Sequence, residues 1–303
     1  MKYRLPNLTG AFLLLMQLVI ASSMTADEGA DPPSGNDLIA AAGANLARLP
    51  ALEAKLRQRV RLFGHELVGS GIYQQMPAGR QRMMRLELKM DVAGQVTSFQ
   101  QISNGTTLWI RRDSGDDQSL EYINLRRIRQ ALDKQTGTQT MSPLGNWFAL
   151  GGLDQLLHEL SRNFEFTEPT PSQIGTVPVW ELSGEWKPDA LKQFGVTAAE
   201  KLPSHLPQIV RVTLGRDQQL PLFPYRIEYG RRSNKTEVGS SSSGAASYVA
   251  IAAMDLHGVQ HRPDLAAQHF RFQPNEQEVV DVTQRYLSRL IARMERSGDV
   301  GNR

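Results

Sequence analysis

Cysteine is absent from this chain of 303 residues. Its absence excludes disulfide bonds, thiolate metal sites, a cysteine nucleophile and a lipid-modified N-terminal cysteine. A protein without disulfides must hold its fold by burying apolar side chains. We therefore expect one sizeable hydrophobic core.

Sequence signatures of enzymes are also missing. The chain has no GxxxxGK[ST] or GxGxxG loop for phosphates, no HExxH zinc motif and no GxSxG nucleophile elbow. The sequence therefore predicts a protein that is not an enzyme, with no catalytic residues, no metal site and no cofactor.

Three polar groups resemble sites without fitting one. Residues 240–243 are four serines between glycines, which is typical of a flexible turn. His257 and His261 have the spacing of metal ligands on a helix, but Gly258 and the Arg-Pro pair after His261 disfavour a helix there. The aspartates within residues 113–117 lack the spacing of a calcium loop and indicate a solvated hairpin tip.

Residues 1–26 predict a secretory signal peptide. Lys2 and Arg4 give a positive start, residues 11–21 are almost continuously apolar, and small residues follow up to Ala26. The apolar run is shorter than the roughly 20 residues that a bilayer span needs. We expect a soluble periplasmic protein, with an uncleaved N-terminal membrane anchor as the alternative.

The net positive charge is partly a property of this leader. The whole chain has 34 Lys and Arg against 31 Asp and Glu, and the leader holds two of the basic residues and none of the acidic ones. The remaining chain has 32 against 31 and is nearly neutral. This balance argues against a general role in binding nucleic acid or other polyanions.

The rest of the chain divides into a short linker and one domain. Residues 27–36 are polar and rich in Pro and Gly, which predicts a disordered linker. Residues 37–303 form the predicted domain, whose first helix begins with Asp37 as its N-cap. Apolar and charged residues then alternate, most clearly over residues 84–92, which predicts strands joined by short turns. The six strands of this predicted antiparallel meander lie at about 56–62, 67–73, 84–92, 96–103, 106–112 and 119–125.

The second half of the chain mixes helices and strands. A short helix is predicted at 126–134 and a second from Asp154, with an apolar loop at 143–152 between them. Asn275 and Glu278 predict the N-cap of a closing helix. Further strands are predicted at 176–186, 208–215, 224–230, 247–255 and 269–273. The total predicts a mainly β fold: a strongly curved antiparallel sheet of about eleven strands, or incomplete barrel, with helices covering the concave face.

Apolar surface is the best candidate for a binding site. Methionine and aromatic side chains suit ligands of variable shape, and an apolar loop needs a partner surface. Ordinary core packing is the alternative for each residue, and the apolar loop is either a lid or a plug. The candidate ligand-binding residues are Met84, Leu86, Leu88, Trp109 and Trp180 on strands, and Leu144, Trp147 and Phe148 in the loop.

Three stretches together resemble the periplasmic lipoprotein-carrier superfamily of LolA- and LolB-like half-barrel proteins. The first is a leading helix that runs into LEAKLRQRVRLFGHELVGSGIY, within residues 46–73. The second is the meander MRLELKM followed by VTSFQQISNGTTLWI, and the third is HFRFQPNEQEVVDV at 269–282. The resemblance implies an incomplete antiparallel barrel with a helical lid over an apolar cavity.

The resemblance also implies a function. Proteins of this kind carry acyl chains or lipoproteins between membranes, so the expected partner is a lipid or the acyl chain of a lipoprotein, with possible transient membrane or envelope-protein contact, bound by a monomer. The chain departs from the pattern in its extra residues around 135–170 and in its closing helix. Two alternatives stay open: an envelope scaffold whose C-terminal helix binds a partner, and an enzyme acting on an envelope component.

Overall fold

The fold is seen in a computed structural model. It describes residues 33–291 except 63–64, 79–80, 93, 116, 135–150, 193, 205, 233–247, 275–277 and 290. The predicted signal peptide and the predicted apolar loop up to residue 150 lie outside the described residues. Within them, no helix is long and apolar enough to cross a membrane.

A single curved, unclosed sheet contains the thirteen strands found among the described residues. The strands are β1 Leu52–Leu62, β2 His65–Ala78, β3 Gln81–Val92, β4 Gln95–Ser103, β5 Thr107–Ser114, β6 Asp117–Asn124, β7 Phe164–Phe166, β8 Thr170–Ile174, β9 Val177–Trp186, β10 Ile209–Gly215, β11 Pro224–Arg232, β12 Tyr248–His261 and β13 Val280–Asp281. Their order across the sheet is β13-β6-β5-β4-β3-β2-β1-β12-β11-β10-β9-β7, with β8 also paired to β9. The predicted mainly β, strongly curved, incomplete barrel is confirmed.

Strands β1 to β6 form the predicted antiparallel meander. Alternation fixes its register: Leu86 and Leu88 of β3 face the core, while Glu87 between them faces outward. Gly71 of β2 lies so close to β3 that an added Cβ would be 1.7 Å from the Glu87 carbonyl oxygen. This close backbone approach explains why glycine stands at that position.

The helices supply the second layer of the core. They are α1 Gly35–Arg48, α2 Leu125–Lys134, α3 Leu153–Asn163 and α4 Pro188–Lys192. Leu46 of α1 and Leu157 of α3 are at most 1% exposed and share one core cluster with the inward residues of the sheet. The concave face of the sheet is the face that α1 and α3 cover.

Helix α1 begins three residues before the predicted position. Its N-cap is Ser34, whose Oγ accepts a hydrogen bond from the backbone N–H of Asp37 (3.2 Å). The prediction that Asp37 is the N-cap is therefore wrong, and Asp37 instead lies in the first turn, where its negative charge favours the helix. Residues 35 and 36, predicted to belong to the linker, are helical.

The C-terminal part of the domain differs most from the prediction. Residues 269–273 are not a strand, because Ala267–Phe270 form a 3-10 helix. The closing helix does not begin at Asn275: Val280–Asp281 form strand β13, and residues 283–289 are helical. Strand β13 pairs in parallel with β6, whereas every other described pairing in the sheet is antiparallel.

Between β12 and this helical segment the chain crosses the outer face of the sheet. We call the described residues 262–274 and 278–282 the strap. Phe270 of the strap is fully buried, in a small cluster that also contains Ala51, Leu265, Met76 and Met83. The strap is also fixed by a hydrogen bond from Arg85 Nη1 to the carbonyl oxygen of His269 (3.1 Å). It ends at the edge of β6, so the chain passes from the outer face to the concave face around that edge.

Candidate functional site

Three of the predicted site residues lie in the packed core. Met84, Leu86 and Leu88 project from β3 onto the concave face, with 1%, 3% and 7% of their surface exposed. They belong to the same cluster as the buried leucines of α1 and α3. These residues support α1 and α3, which cover this part of the concave face.

Trp109 lies on the other face of the sheet. Its neighbours Leu108 and Ile110 are buried on the concave face, so alternation directs Trp109 outward. Its ring centroid is 5.4 Å from that of Tyr122 and 5.3 Å from that of Phe272 in the strap. Trp109 therefore does not share a surface with Met84, Leu86 and Leu88.

Trp180 lies at the start of β9 and is half-buried against the core cluster. The guanidinium carbon of Arg216 stands 4.1 Å from its ring centroid, a cation–π contact that closes the exposed side of the ring. The other three predicted site residues, Leu144, Trp147 and Phe148, lie outside the described residues. A ligand-binding role for all eight stays a prediction.

An additional group of apolar side chains lies on the concave face toward the Val92 end of β3. We call it the apolar patch. Its members are half-buried and come from six strands: Val60, Leu67, Met90, Phe99, Tyr229 and Met254.

Register places the members of the patch side by side. Val60 pairs with Leu67, and Met90 lies two residues beyond Leu88, the partner of Phe99. Met254 stands opposite Gln58, the cross-strand partner of Gly69, and Gly69 is paired in turn with Met90. The Leu88 side chain packs over Gly69, because a Cβ added at Gly69 would be 3.0 Å from Leu88 Cδ1.

None of the six patch residues is among the eight predicted site residues, for a physical reason. Met90 continues the alternating row of Met84, Leu86 and Leu88, so one more step along β3 would have found it. Phe99 follows from the hairpin register of β3 and β4. Met254 belongs to the patch because β12 pairs with β1, a contact between distant segments that alternation within one strand does not reveal.

Charged groups stand at the β5–β6 end of the patch. The Arg112 guanidinium carbon is 5.9 Å from the ring centroid of Phe99. Glu121 accepts hydrogen bonds from Arg112 (2.9 Å) and Arg285 (2.6 Å). Burial works to raise the pKa of Glu121, but these two arginines outweigh it and lower the pKa, so the carboxylate stays ionised.

A polar cluster fixes the amino end of α3 beneath the patch. The Tyr73 hydroxyl accepts a hydrogen bond from the Leu153 N–H (3.2 Å) and donates one to Gln75 Oε1 (2.8 Å). Arg82 Nε donates to Asp154 Oδ2 at 3.0 Å, and Arg82 Nη2 donates to the Leu46 carbonyl oxygen at 2.9 Å. Burial raises the pKa of Tyr73, so its hydroxyl remains a hydrogen-bond donor at every physiological pH.

Metal binding has no support in the described part of the chain. No group of three or more His, Asp or Glu side chains there is arranged to hold an ion. His257 and His261 both lie on strand β12 with exposed side chains. The predicted serine turn at 240–243 lies outside the described residues, and so does Asp116 of the acidic turn.

No family model matches the chain, and no curated protein matches it. Among solved structures, a DUF1329 family protein from Desulfovibrio piger is similar, with 9% identity, a TM-score of 0.33, and coverage of 80% of this chain and 98% of that one. A second similar structure is a protein domain from Vibrio parahaemolyticus whose name refers to outer membrane lipoprotein sorting, with 8% identity, a TM-score of 0.32, and coverage of 78% and 96%.

Proposed function

We propose that the protein binds the acyl chain of a lipid or of an acylated lipoprotein on the apolar patch, and that it acts as a carrier outside the cytoplasm. The observation that supports this proposal is the position of the patch. Half-buried apolar side chains from six strands lie on the concave face, where the rest of that face is packed under helices. The proposal assigns no catalytic step to the chain.

Energetics make an acyl chain a suitable ligand. Each methylene that is transferred from water to an apolar surface contributes about 0.8 kcal/mol. Ten methylenes in contact with the patch would contribute roughly 8 kcal/mol before the entropy cost of association. Methionines at two positions of the patch give it a pliable surface, which suits a flexible chain.

Methionine substitutions on the two faces of the sheet test this proposal. The double variant Met90→Gln/Met254→Gln keeps side-chain length while making the patch polar, and both positions are half-buried, so we expect the fold to persist. Binding of a fluorescent C16 fatty acid should weaken at least tenfold in this variant. Met76→Gln/Met83→Gln is the matched control, because these methionines contact the strap on the outer face.

Two results would contradict the proposal. One is equal loss of binding in both double variants, which would place the fatty acid elsewhere. The other is failure of the wild-type protein to bind the fatty acid, together with mass spectra of solvent extracts that contain no co-purified lipid.

A further inference from the structure

Two helices meet at the end of strand β6. Asn124, the last residue of β6, accepts a hydrogen bond on Oδ1 from the Arg127 N–H of α2 (3.1 Å). Its own backbone N–H donates to Thr283 Oγ1, at the start of the C-terminal helical segment 283–289 (2.9 Å). The first turns of both helices therefore lie side by side.

The described parts of these two helices carry positive charge. We call their four exposed arginines the arginine face: Arg126 and Arg127 in the first turn of α2, and Arg285 and Arg289 in the C-terminal segment. No described side chain of either helix is a carboxylate.

Neighbouring strands neutralise only part of this charge. Glu121 pairs with Arg285 and also with Arg112, so it is shared by two cations. Asp281 accepts hydrogen bonds from Tyr122 and Thr283 and lies near Arg127. Among the described side chains, these two carboxylates thus stand against Arg112 and the four arginines of the arginine face.

Arg127 contacts the C-terminal segment, because its Nη2 donates a hydrogen bond to Gln284 Oε1 (3.5 Å). Arg129 is half-buried, donates a hydrogen bond to the Gly105 carbonyl oxygen (2.8 Å) and is not part of the arginine face. Arg126, Arg127, Arg285 and Arg289 are exposed. Val280 in β13 lies next to this face and is 47% exposed, an apolar side chain at the margin of a basic surface.

We propose that the arginine face docks on the anionic surface of a lipid bilayer. Anionic headgroups attract basic side chains with about 1 kcal/mol per residue near the surface, and a flat bilayer meets arginines from two separate helices at once. The exposed Val280 suits the region just below the headgroups. The inference is independent of the proposed acyl binding, because the arginine face shares no residue with the apolar patch and adjoins it only where Arg285 contacts Glu121.

Vesicle flotation tests this inference with the full chain. The probes are vesicles of phosphatidylcholine alone and vesicles with 30% phosphatidylglycerol, in 0.05 M and 0.5 M NaCl. We expect binding to the anionic vesicles at low salt and release at high salt. The double variant Arg126→Gln/Arg289→Gln should bind about 25-fold more weakly, at about fivefold per arginine.

The control removes the same charge elsewhere. Lys55→Gln/Arg57→Gln changes two exposed cations on the outer face of β1, and it should bind as the wild type does. Equal weakening in both double variants would overturn the inference, as would equal binding to neutral and anionic vesicles. Binding of an oligonucleotide instead of vesicles, with the same arginine dependence, would also overturn it. The fluorescent fatty-acid assay is read separately, so failure of either proposal is recognised by itself.

Discussion

At the scale of single residues, the hydroxyl of Tyr73 holds two parts of the core together. Tyr73→Phe leaves the Leu153 N–H and Gln75 Oε1 without this partner in a buried site, and an unsatisfied buried polar group costs about 1–3 kcal/mol. We expect the free energy of unfolding in urea to fall by that amount. Tyr229→Phe is the matched control, since its hydroxyl is buried and has no hydrogen-bond partner among the described contacts.

The two substitutions should differ in their effect on the free energy of unfolding. Removing an unsatisfied buried hydroxyl should leave the stability unchanged or raise it slightly. If Tyr73→Phe and Tyr229→Phe gave the same free energy of unfolding, the Tyr73 hydroxyl would not be what fixes the amino end of α3.

Gly152 contributes to the same contact through its backbone. It precedes α3 with φ of +79°, and an added Cβ would stand 2.6 Å from the Tyr73 hydroxyl. Gly152→Ala should therefore destabilise the protein by roughly 3 kcal/mol, from the left-handed backbone and from the overlap. Gly94→Ala isolates the first part, since Gly94 has φ of +85° and open space around it, and should cost about 1 kcal/mol. Equal urea midpoints for the two variants would show that the overlap is relieved.

At the scale of elements, the C-terminal segment belongs to the core. Val282, Thr283 and Leu287 have 6%, 0% and 8% of their surface exposed, although the sequence leaves open a helix free to bind a partner. Truncation after Pro274 removes these three residues and β13, and should lower the free energy of unfolding by about 4–6 kcal/mol. A truncated chain with unchanged thermal and urea unfolding would instead favour the scaffold alternative.

Local patterns predicted the elements that depend on local physics. Strands β1 to β6 follow from alternation and short turns, and α2 and α3 follow from apolar spacing. The three missed strands have weak local signals. Phe164–Phe166 has three residues directly after a helix, Thr170–Ile174 contains a proline, and Val280–Asp281 has two residues held by pairing with β6. Their positions are set by tertiary pairing, which sequence periodicity does not record.

The predicted site residues show the same division between what local patterns determine and what tertiary packing determines. Alternation placed Met84, Leu86 and Leu88 on the inward face but gave no measure of how far the helices cover that face. It also could not separate the face of Trp109 from theirs, because an aromatic residue suits either side of a sheet. Phe270 and Phe272 on the strap explain why the outward face is apolar at Trp109.

At the scale of the whole molecule, one strand pair joins the two halves of the sheet. Strands β1 to β6 form a local meander, β9 to β12 form a second antiparallel run, and the pairing of β1 with β12 connects them. Leu56 and Leu256 are cross-strand partners 200 positions apart in the chain, and both are 2% exposed. The apolar patch spans this junction, so a complete patch requires both halves.

This topology predicts an order of folding. Contacts within the meander close short loops, whereas the β1–β12 contact must close a long one and is entropically costly to form early. Leu86→Ala and Leu256→Ala each remove a buried leucine and should cost 2–5 kcal/mol. In stopped-flow kinetics we expect Leu86→Ala mainly to slow refolding, and Leu256→Ala mainly to speed unfolding with little change in the refolding rate. If Leu256→Ala slowed refolding as much as Leu86→Ala does, the two halves would join before the meander is formed. The patch would then form early in folding instead of late.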